Sequence, residues 1–349
     1  MPDLQSTEAA APQPDSEPLL PEARKAYSRT CLNLMLYALI GMLLIDGIAL
    51  ILRKAGLLNG ISTNWVYIIQ FAPMYLVAFP IYLLLSRHIE AHRPEPRRMS
   101  VGQWLIALLG CEAISIIGNY TGILFNFILS KILGIQTSSD FLQEGVFGES
   151  SILFCCIAVF AAPVVEEFLF RKVLIDRVRK YGNGIAVVLS GLLFGLFHGN
   201  FTQFFYAAAL GMFFALIYVR TGRIRNTILL HMTMNCIGTV IPLFFGKYLN
   251  RIEELQSILE SGDHAKLIGL LRDMLPLFIY VGFMYMAVIA GIVLLIVFRK
   301  QFRVEPAIAP LPKGKRLRTV CLNFGFIAFF LFCVYEFVMQ ILQNIPQNS

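Results

Sequence analysis

The chain has 349 residues, of which 57% are hydrophobic and only 15% are charged, and its formal net charge is +7. Soluble domains carry roughly 45–50% apolar and about 25% charged residues, so this composition, with a mean hydropathy of +0.68, indicates a membrane protein. It excludes a disordered chain, a collagen and a nucleic-acid-binding domain as descriptions of the whole.

Long apolar runs predict an all-α fold, a polytopic bundle of about nine transmembrane helices. A helix needs about 20 mostly apolar residues to cross the hydrocarbon core of a bilayer. The third run is the weakest, because Glu112, Gly118 and Asn119 interrupt it. In chain order the predicted spans are 31–52, 65–86, 101–125, 151–170, two within 184–218, 227–245, 275–298 and 319–342.

The basic residues predict how this bundle is oriented. With the N-terminus inside, 22 of the 29 Lys and Arg residues fall in segments on the cytoplasmic side. Cytoplasmic loops of membrane proteins carry an excess of Lys and Arg, so the asymmetry predicts an N-in, C-out topology. It also explains the net charge without a nucleic-acid partner.

Ionisable residues inside predicted spans are costly, by about 2.5–3.5 kcal/mol on insertion scales. Asp46, Glu112 and Glu336 stand alone on separate helices. For these three, a helix–helix hydrogen bond or a protonated carboxyl group is favoured over chemistry.

A second set of polar residues forms three short motifs on the predicted spans. Residues four apart share one face of a helix, so Glu167 can pair with Arg171, while the neighbouring Glu166 points elsewhere and stays available. Each polar group that lay unpaired in the membrane would carry its own free-energy cost. The set is therefore predicted to come together in one site. The motifs are Glu166-Glu167 with Arg171, Phe194 with His198, and His231 with Asn235.

These residue types favour hydrolysis of an acyl bond by either of two routes. A partly desolvated glutamate beside an imidazole can act as a general base towards water, and an imidazole and an amide on one helix face can bind a tetrahedral oxyanion. Alternatively, Glu166, His198 and His231 supply three ligands to a zinc ion and leave the fourth position to water. The sequence has neither a G-x-S-G motif nor an H-E-x-x-H motif.

The three motifs, in this order on membrane helices, resemble the CPBP family of CAAX proteases and bacteriocin-processing enzymes, also called the Abi family. The resemblance covers about residues 151–245 and is of the type II CAAX prenyl endopeptidase kind. It implies an intramembrane endopeptidase with an eight-helix-like core and a cavity open to the cytosolic leaflet. Substrates in the family are lipidated or membrane-bound peptides and proteins.

The resemblance also implies roles for the motif residues. Glu166 and His198 would activate the water, His231 and Asn235 would form the oxyanion hole, and Glu167 and Arg171 would orient the site or contact the substrate. Both a metalloprotease with a single zinc and a metal-free glutamate protease remain open. So does a non-catalytic transporter, immunity protein or scaffold that uses the polar cluster as a binding pocket or proton relay.

The resemblance and the apolar runs together divide the chain into four parts of an integral, multi-pass protein, which would lie in the cell membrane if the source is bacterial. The three motifs meet only if the helix before His198 tilts, starts deeper, or breaks early at Gly191 or Gly195. The predicted parts are a disordered cytosolic tail (1–30), N-terminal transmembrane helices (31–150), a catalytic core (151–246), and a C-terminal loop with two helices (247–349).

Overall fold

The computed structural model describes residues 19–134 and 151–343, and within these ranges the chain is all-helical. Eight helices are long and apolar enough to cross a membrane: α1 (Leu19–Lys54), α2 (Thr63–Ser86), α3 (Val101–Leu133), α4 (Ile152–Tyr181), α6 (Phe201–Thr221), α7 (Ile224–Phe245), α10 (Leu275–Val297) and α12 (Phe324–Gln343). A ninth apolar helix, α5 (Asn183–Phe197), is shorter. The connecting segments contain α8 (Leu249–Ser261), α9 (His264–Asp273) and α11 (Arg316–Cys321).

This architecture confirms the predicted all-α membrane bundle, and eight long helices plus α5 come close to the predicted nine. The predicted N-in, C-out orientation stays a prediction, as does the division into four parts, apart from the end of the tail.

The predicted disordered tail is too long at its C-terminal end, because α1 already begins at Leu19. The first turns of α1 pack against the end of α4. Tyr27 is fully buried, and the Glu22 carboxylate accepts hydrogen bonds from the Tyr181 hydroxyl at 2.8 Å and from the Lys180 ammonium at 2.9 Å. These tertiary contacts order a stretch whose own composition does not mark it as helix.

Glycines set the distance between α5 and α6. A side chain at Gly191 would meet the backbone nitrogen of Met212, and one at Gly195 would meet the carbonyl oxygen of Phe204. Small residues allow membrane helices to approach this closely. Of the three predicted alternatives, the early break at Gly191 or Gly195 does not occur, since α5 runs without interruption through both residues; the glycines serve packing.

The length of α5 explains how His198 reaches the depth of the glutamates. Helices α4 and α5 meet at Gly182, and Glu166 and His198 each lie fifteen residues from the end that faces this turn. At 1.5 Å per residue both positions are about 22 Å from it. Because the hydrocarbon core is about 30 Å thick, α5 ends before a full span and leaves His198 inside the bundle.

Candidate active site

Helix α4 carries the two glutamates in a short α-helical stretch, Ala162–Glu167. This stretch lies between two π-helical segments, Ile157–Ala161 and Phe168–Val173. Single π-helical turns inside α-helices are frequent at functional sites, because the extra residue changes which side chains face a neighbour. The second segment contains Arg171, so a π-helical turn separates Glu167 from its predicted partner.

A chain of charged groups joins α4 to α7. Arg171 Nε lies 3.3 Å from Glu167 Oε2, which confirms the predicted pair. The other oxygen, Glu167 Oε1, lies 3.0 Å from His231 Nδ1, and His231 Nε2 lies 3.6 Å from Glu166 Oε2. The two adjacent glutamates therefore face opposite nitrogens of one imidazole.

The contacts of His231 fix the position of one proton. An ionised carboxylate can only accept a hydrogen bond, so the hydrogen bond between Glu167 and His231 places a proton on Nδ1 of the ring. Nε2 then faces Glu166 at a distance suited to an ion pair but too long for a strong hydrogen bond.

Exposure distinguishes the two glutamates. The side chains of Glu167 and Arg171 have no exposed surface, whereas the Glu166 side chain is 21% exposed. The buried charges of Glu167 and Arg171 compensate each other. Glu166 is thus the more accessible carboxylate of the two.

Aromatic rings and a backbone carbonyl of α6 complete the surroundings of Arg171. Its guanidinium lies 4.5 Å from the centroid of the Phe194 ring and 5.5 Å from that of Phe214, and it donates a hydrogen bond to the carbonyl of Gly211 at 3.3 Å. Among the described residues, its Nε and Nη1 have no hydrogen-bond partner, so the contact with Glu167 is an ion pair without hydrogen-bond alignment. Sequence reasoning missed Gly211 and Phe214, because apolar residues of a membrane helix carry no signal of such contacts.

His198 follows the last residue of α5. Its Nδ1 lies 2.8 Å from the carbonyl oxygen of Phe194. A carbonyl only accepts, so Nδ1 carries the proton and the neutral ring keeps Nε2 as its basic atom.

One aromatic ring links the two histidines. The Phe194 ring lies edge-on to both, at 4.9 Å from the His198 ring and 5.8 Å from the His231 ring. His198 also lies within electrostatic range of Glu166. The fold therefore brings together Glu166, His198 and His231 from three helices.

Asn235 lies one turn beyond His231 on the same face of α7. Its amide donates a hydrogen bond to the carbonyl of Ala158 at 2.8 Å. Ala158 belongs to the first π-helical segment of α4, so Asn235 holds α7 against the helix of the glutamates. No pattern in the sequence indicates this backbone partner.

The arrangement does not fit the predicted zinc site. Across residues 19–134 and 151–343, no three His, Cys, Asp or Glu side chains are grouped so that they could hold a metal ion. Both nitrogens of His231 face carboxylates, and Nδ1 of His198 faces a carbonyl. Nε2 of His198 stays free, but it is not grouped with two further donor side chains.

In the described ranges the three lone acids form no ion pair with this cluster, although Glu336 packs beside Gly199, the neighbour of His198. Glu112 on α3 and Glu336 on α12 each have one buried carboxylate oxygen without a hydrogen-bond partner in the described part of the chain. Asp46 lies on the exposed surface of α1.

Fold and site together define a class: a multi-pass, all-helical membrane protein with a carboxylate–histidine cluster at the end of a short helix. Residues 148–237 match the family model described as type II CAAX prenyl endopeptidase Rce1-like. Over these residues the chain is similar to CAAX proteases of the Rce1-like type.

Two relatives are consistent with this assignment. The membrane-embedded CAAX protease MroQ of Staphylococcus aureus (strain USA300) is 26% identical over 195 residues, which are 52% of this chain and 76% of the relative. YdiL of Bacillus subtilis (strain 168), provisionally named a membrane peptidase, is 29% identical over 92 residues, which are 26% of this chain and 38% of the relative. No solved structure matches the chain.

Proposed function

We propose that the protein is an intramembrane endopeptidase that hydrolyses a peptide bond near the membrane in a lipidated or membrane-bound peptide or protein. The observation that carries the proposal is the position of Glu166, a partly exposed carboxylate beside two histidines and a buried ion pair. The names of the family and of MroQ point to the same class of reaction.

Glu166 and His198 act on the attacking water. The Glu166 carboxylate accepts a proton from water, and the resulting hydroxide attacks the carbonyl carbon of the peptide bond. Nε2 of His198, the basic atom of its ring, accepts a hydrogen bond from the same water and orients it. The proton then passes to the amide nitrogen that leaves, which restores the carboxylate.

His231 and Asn235 stabilise the oxyanion that forms on the carbonyl. Because Nδ1 of His231 donates to Glu167, the ring can donate to an oxyanion only from a protonated Nε2, that is, as an imidazolium. Glu166 and Glu167 lie on either side of this ring, at 3.6 Å from Nε2 and 3.0 Å from Nδ1. Glu167 and Arg171 hold the ring in position.

The test is cleavage by the purified protein in lipid nanodiscs. Prenylated and unprenylated peptides are incubated with the wild type, with Glu166→Gln and with Glu112→Gln, and products are read by mass spectrometry. General-base catalysis contributes about 10²–10⁴-fold, so Glu166→Gln should lose at least about a hundredfold in rate with an unchanged melting temperature. Glu112→Gln, a matched intramembrane control outside the cluster, should cleave like the wild type.

Two results would contradict the proposal. Normal cleavage by Glu166→Gln would remove Glu166 as the base. No product from any peptide would favour the non-catalytic alternative, a transporter, immunity protein or scaffold that uses the cluster as a pocket.

The same assay tests the metal question. Because no three donor side chains of the described ranges are grouped around one point, we expect a strong zinc chelator to leave the rate unchanged. Loss of activity on chelation, restored by added zinc, would show that the cluster rearranges to bind metal and would overturn the metal-free assignment.

A further inference from the structure

A cavity of about 340 Å³ lies between the ends of α3, α6 and α10, away from the carboxylate–histidine cluster. Arg97, Arg98 and Arg220 all line the cavity. These helix ends therefore lie on the side of the bundle where the predicted cytoplasmic segments carry most of the Lys and Arg residues, which is called the basic face below. Below the arginines the walls are apolar, with Phe213, Leu216, Leu294, Leu295 and Phe298.

The three arginines differ in their partners. Arg97 is committed to protein contacts, since its guanidinium lies 2.8 Å from the Glu305 carboxylate and 3.6 Å from that of Glu95. Arg220 donates one hydrogen bond to the backbone carbonyl of Arg303 at 3.2 Å. Neither Arg98 nor Arg220 forms an ion pair with an acidic side chain in the described ranges, and no residue lining the cavity is acidic. The rim therefore presents two uncompensated guanidinium groups.

We propose that this cavity binds an anionic phospholipid from the leaflet on the basic face. Guanidinium groups bind phosphate oxygens in a planar, two-pronged geometry, and an acyl chain gains free energy by covering the apolar walls. Basic pockets between transmembrane helices at this face are suited to anionic lipid headgroups, and the volume lies within the range of small-molecule sites.

The apolar part of the cavity decides between a lipid and a free phosphate. A free phosphate ion would use the two arginines but would leave the aromatic and leucine side chains uncovered. A phospholipid satisfies both halves at once, and the ends of membrane helices lie where its headgroup and first methylene groups lie.

The chain offers a direct reporter for this site. It contains two tryptophans, Trp65 and Trp104, and Trp104 directly follows Gln103, which lines the cavity. The Trp65→Phe protein therefore carries one tryptophan, beside the site. Full-length protein is placed in nanodiscs that contain either brominated phosphatidylglycerol or brominated phosphatidylcholine at equal mole fraction, and quenching of its fluorescence is measured.

We expect stronger quenching by the brominated phosphatidylglycerol. Arg98→Gln and Arg220→Gln should each reduce this preference about fivefold, and both positions are exposed, so folding should persist. Lys313→Gln, an exposed change on the same basic face outside the cavity, should keep the preference. Glycerol phosphate, a headgroup without chains, should not compete.

Three results would overturn the proposal. Equal quenching by the two lipids, or a preference that survives in both arginine variants, would exclude a headgroup site. Competition by glycerol phosphate would assign the arginines to a free phosphate. Mass spectrometry of the intact protein provides a second measurement, in which co-purified phosphatidylglycerol should be lost from the Arg98→Gln/Arg220→Gln protein. None of these readings depends on peptidase activity.

Discussion

The acids of α4 and those of α3 and α12 all lie in membrane helices, but they have different neighbours. Glu167 on α4 faces Arg171 at 3.3 Å and His231 at 3.0 Å. Glu167 Oε2, like one oxygen of Glu112 on α3 and one of Glu336 on α12, is buried without a hydrogen-bond partner among the described residues, but only Glu167 of these three has a described cation beside it. An intramembrane carboxylate is costly in either place, so the difference indicates where the fold supports a charge and where it does not.

Helix α4 repeats this arrangement closer to its end. Asp176, 2% exposed, lies 2.9 Å from the ammonium of Lys172, again four residues away. It also accepts a hydrogen bond from the Tyr218 hydroxyl of α6 at 2.7 Å. Two ion pairs on one helix, both reinforced by α6, fix the rotation of α4 and hence the direction of Glu166.

The largest effect is expected from breaking the ion pair between Glu167 and Arg171, which lies inside the bundle. Arg171→Met leaves the Glu167 carboxylate without its cation in a site with no exposed surface, and removing one partner of a buried ion pair costs about 3–5 kcal/mol. The free energy of unfolding in mixed micelles measures this loss.

The neighbouring cation provides the matched control for that change. Lys172→Met should cost less, because its side chain is 26% exposed and Asp176 keeps Tyr218. Adding Glu167→Gln to Arg171→Met should recover part of the loss, since it removes the stranded charge. An equal loss of unfolding free energy in Arg171→Met and Lys172→Met would refute the distinction between the pair inside the bundle and the pair near the end of α4.

A smaller effect is expected at the pair of Lys172 and Asp176, near the end of α4. Tyr218→Phe removes one hydrogen bond to the Asp176 carboxylate, and hydrogen bonds to charged groups contribute about 1.5–3 kcal/mol. Tyr335→Phe, at a tyrosine of α12 that is 54% exposed, should be near neutral in the same unfolding assay. A Tyr218→Phe protein as stable as this control would mean that Lys172 and Arg93, the described cations beside Asp176, hold it without the hydroxyl.

The sequence predicted the helices well, because apolar length is a property of each segment by itself. It failed where a boundary depends on a distant partner. Residues 19–30 are helical because Tyr27 and Glu22 pack on α4, and no local pattern encodes that contact.

The candidate site was predictable in composition but not in connectivity. The spacing of Glu167 and Arg171 on one helix predicted their pair. In the structure the two glutamates contact opposite nitrogens of His231. This contact depends on how α7 is rotated against α4, and the spacing of residues within one helix does not specify that rotation. The contacts of Arg171 with the Gly211 carbonyl and the Phe214 ring could not be predicted for the same reason.

The smallest effect, and the sharpest test of the difference between the acids of α3 and α4, is expected at Glu112. One of its oxygens is buried without a partner, and replacing such a group by an apolar one of similar size strands no neighbour. The free energy of unfolding of Glu112→Met should therefore lie within about 1 kcal/mol of the wild-type value, or above it. That of Glu167→Met should fall by several kcal/mol, because this change leaves Arg171 buried without its carboxylate. If Glu112→Met is as costly as Glu167→Met, the acid of α3 stabilises the fold as much as the acid of α4, and the difference between the two helices is refuted.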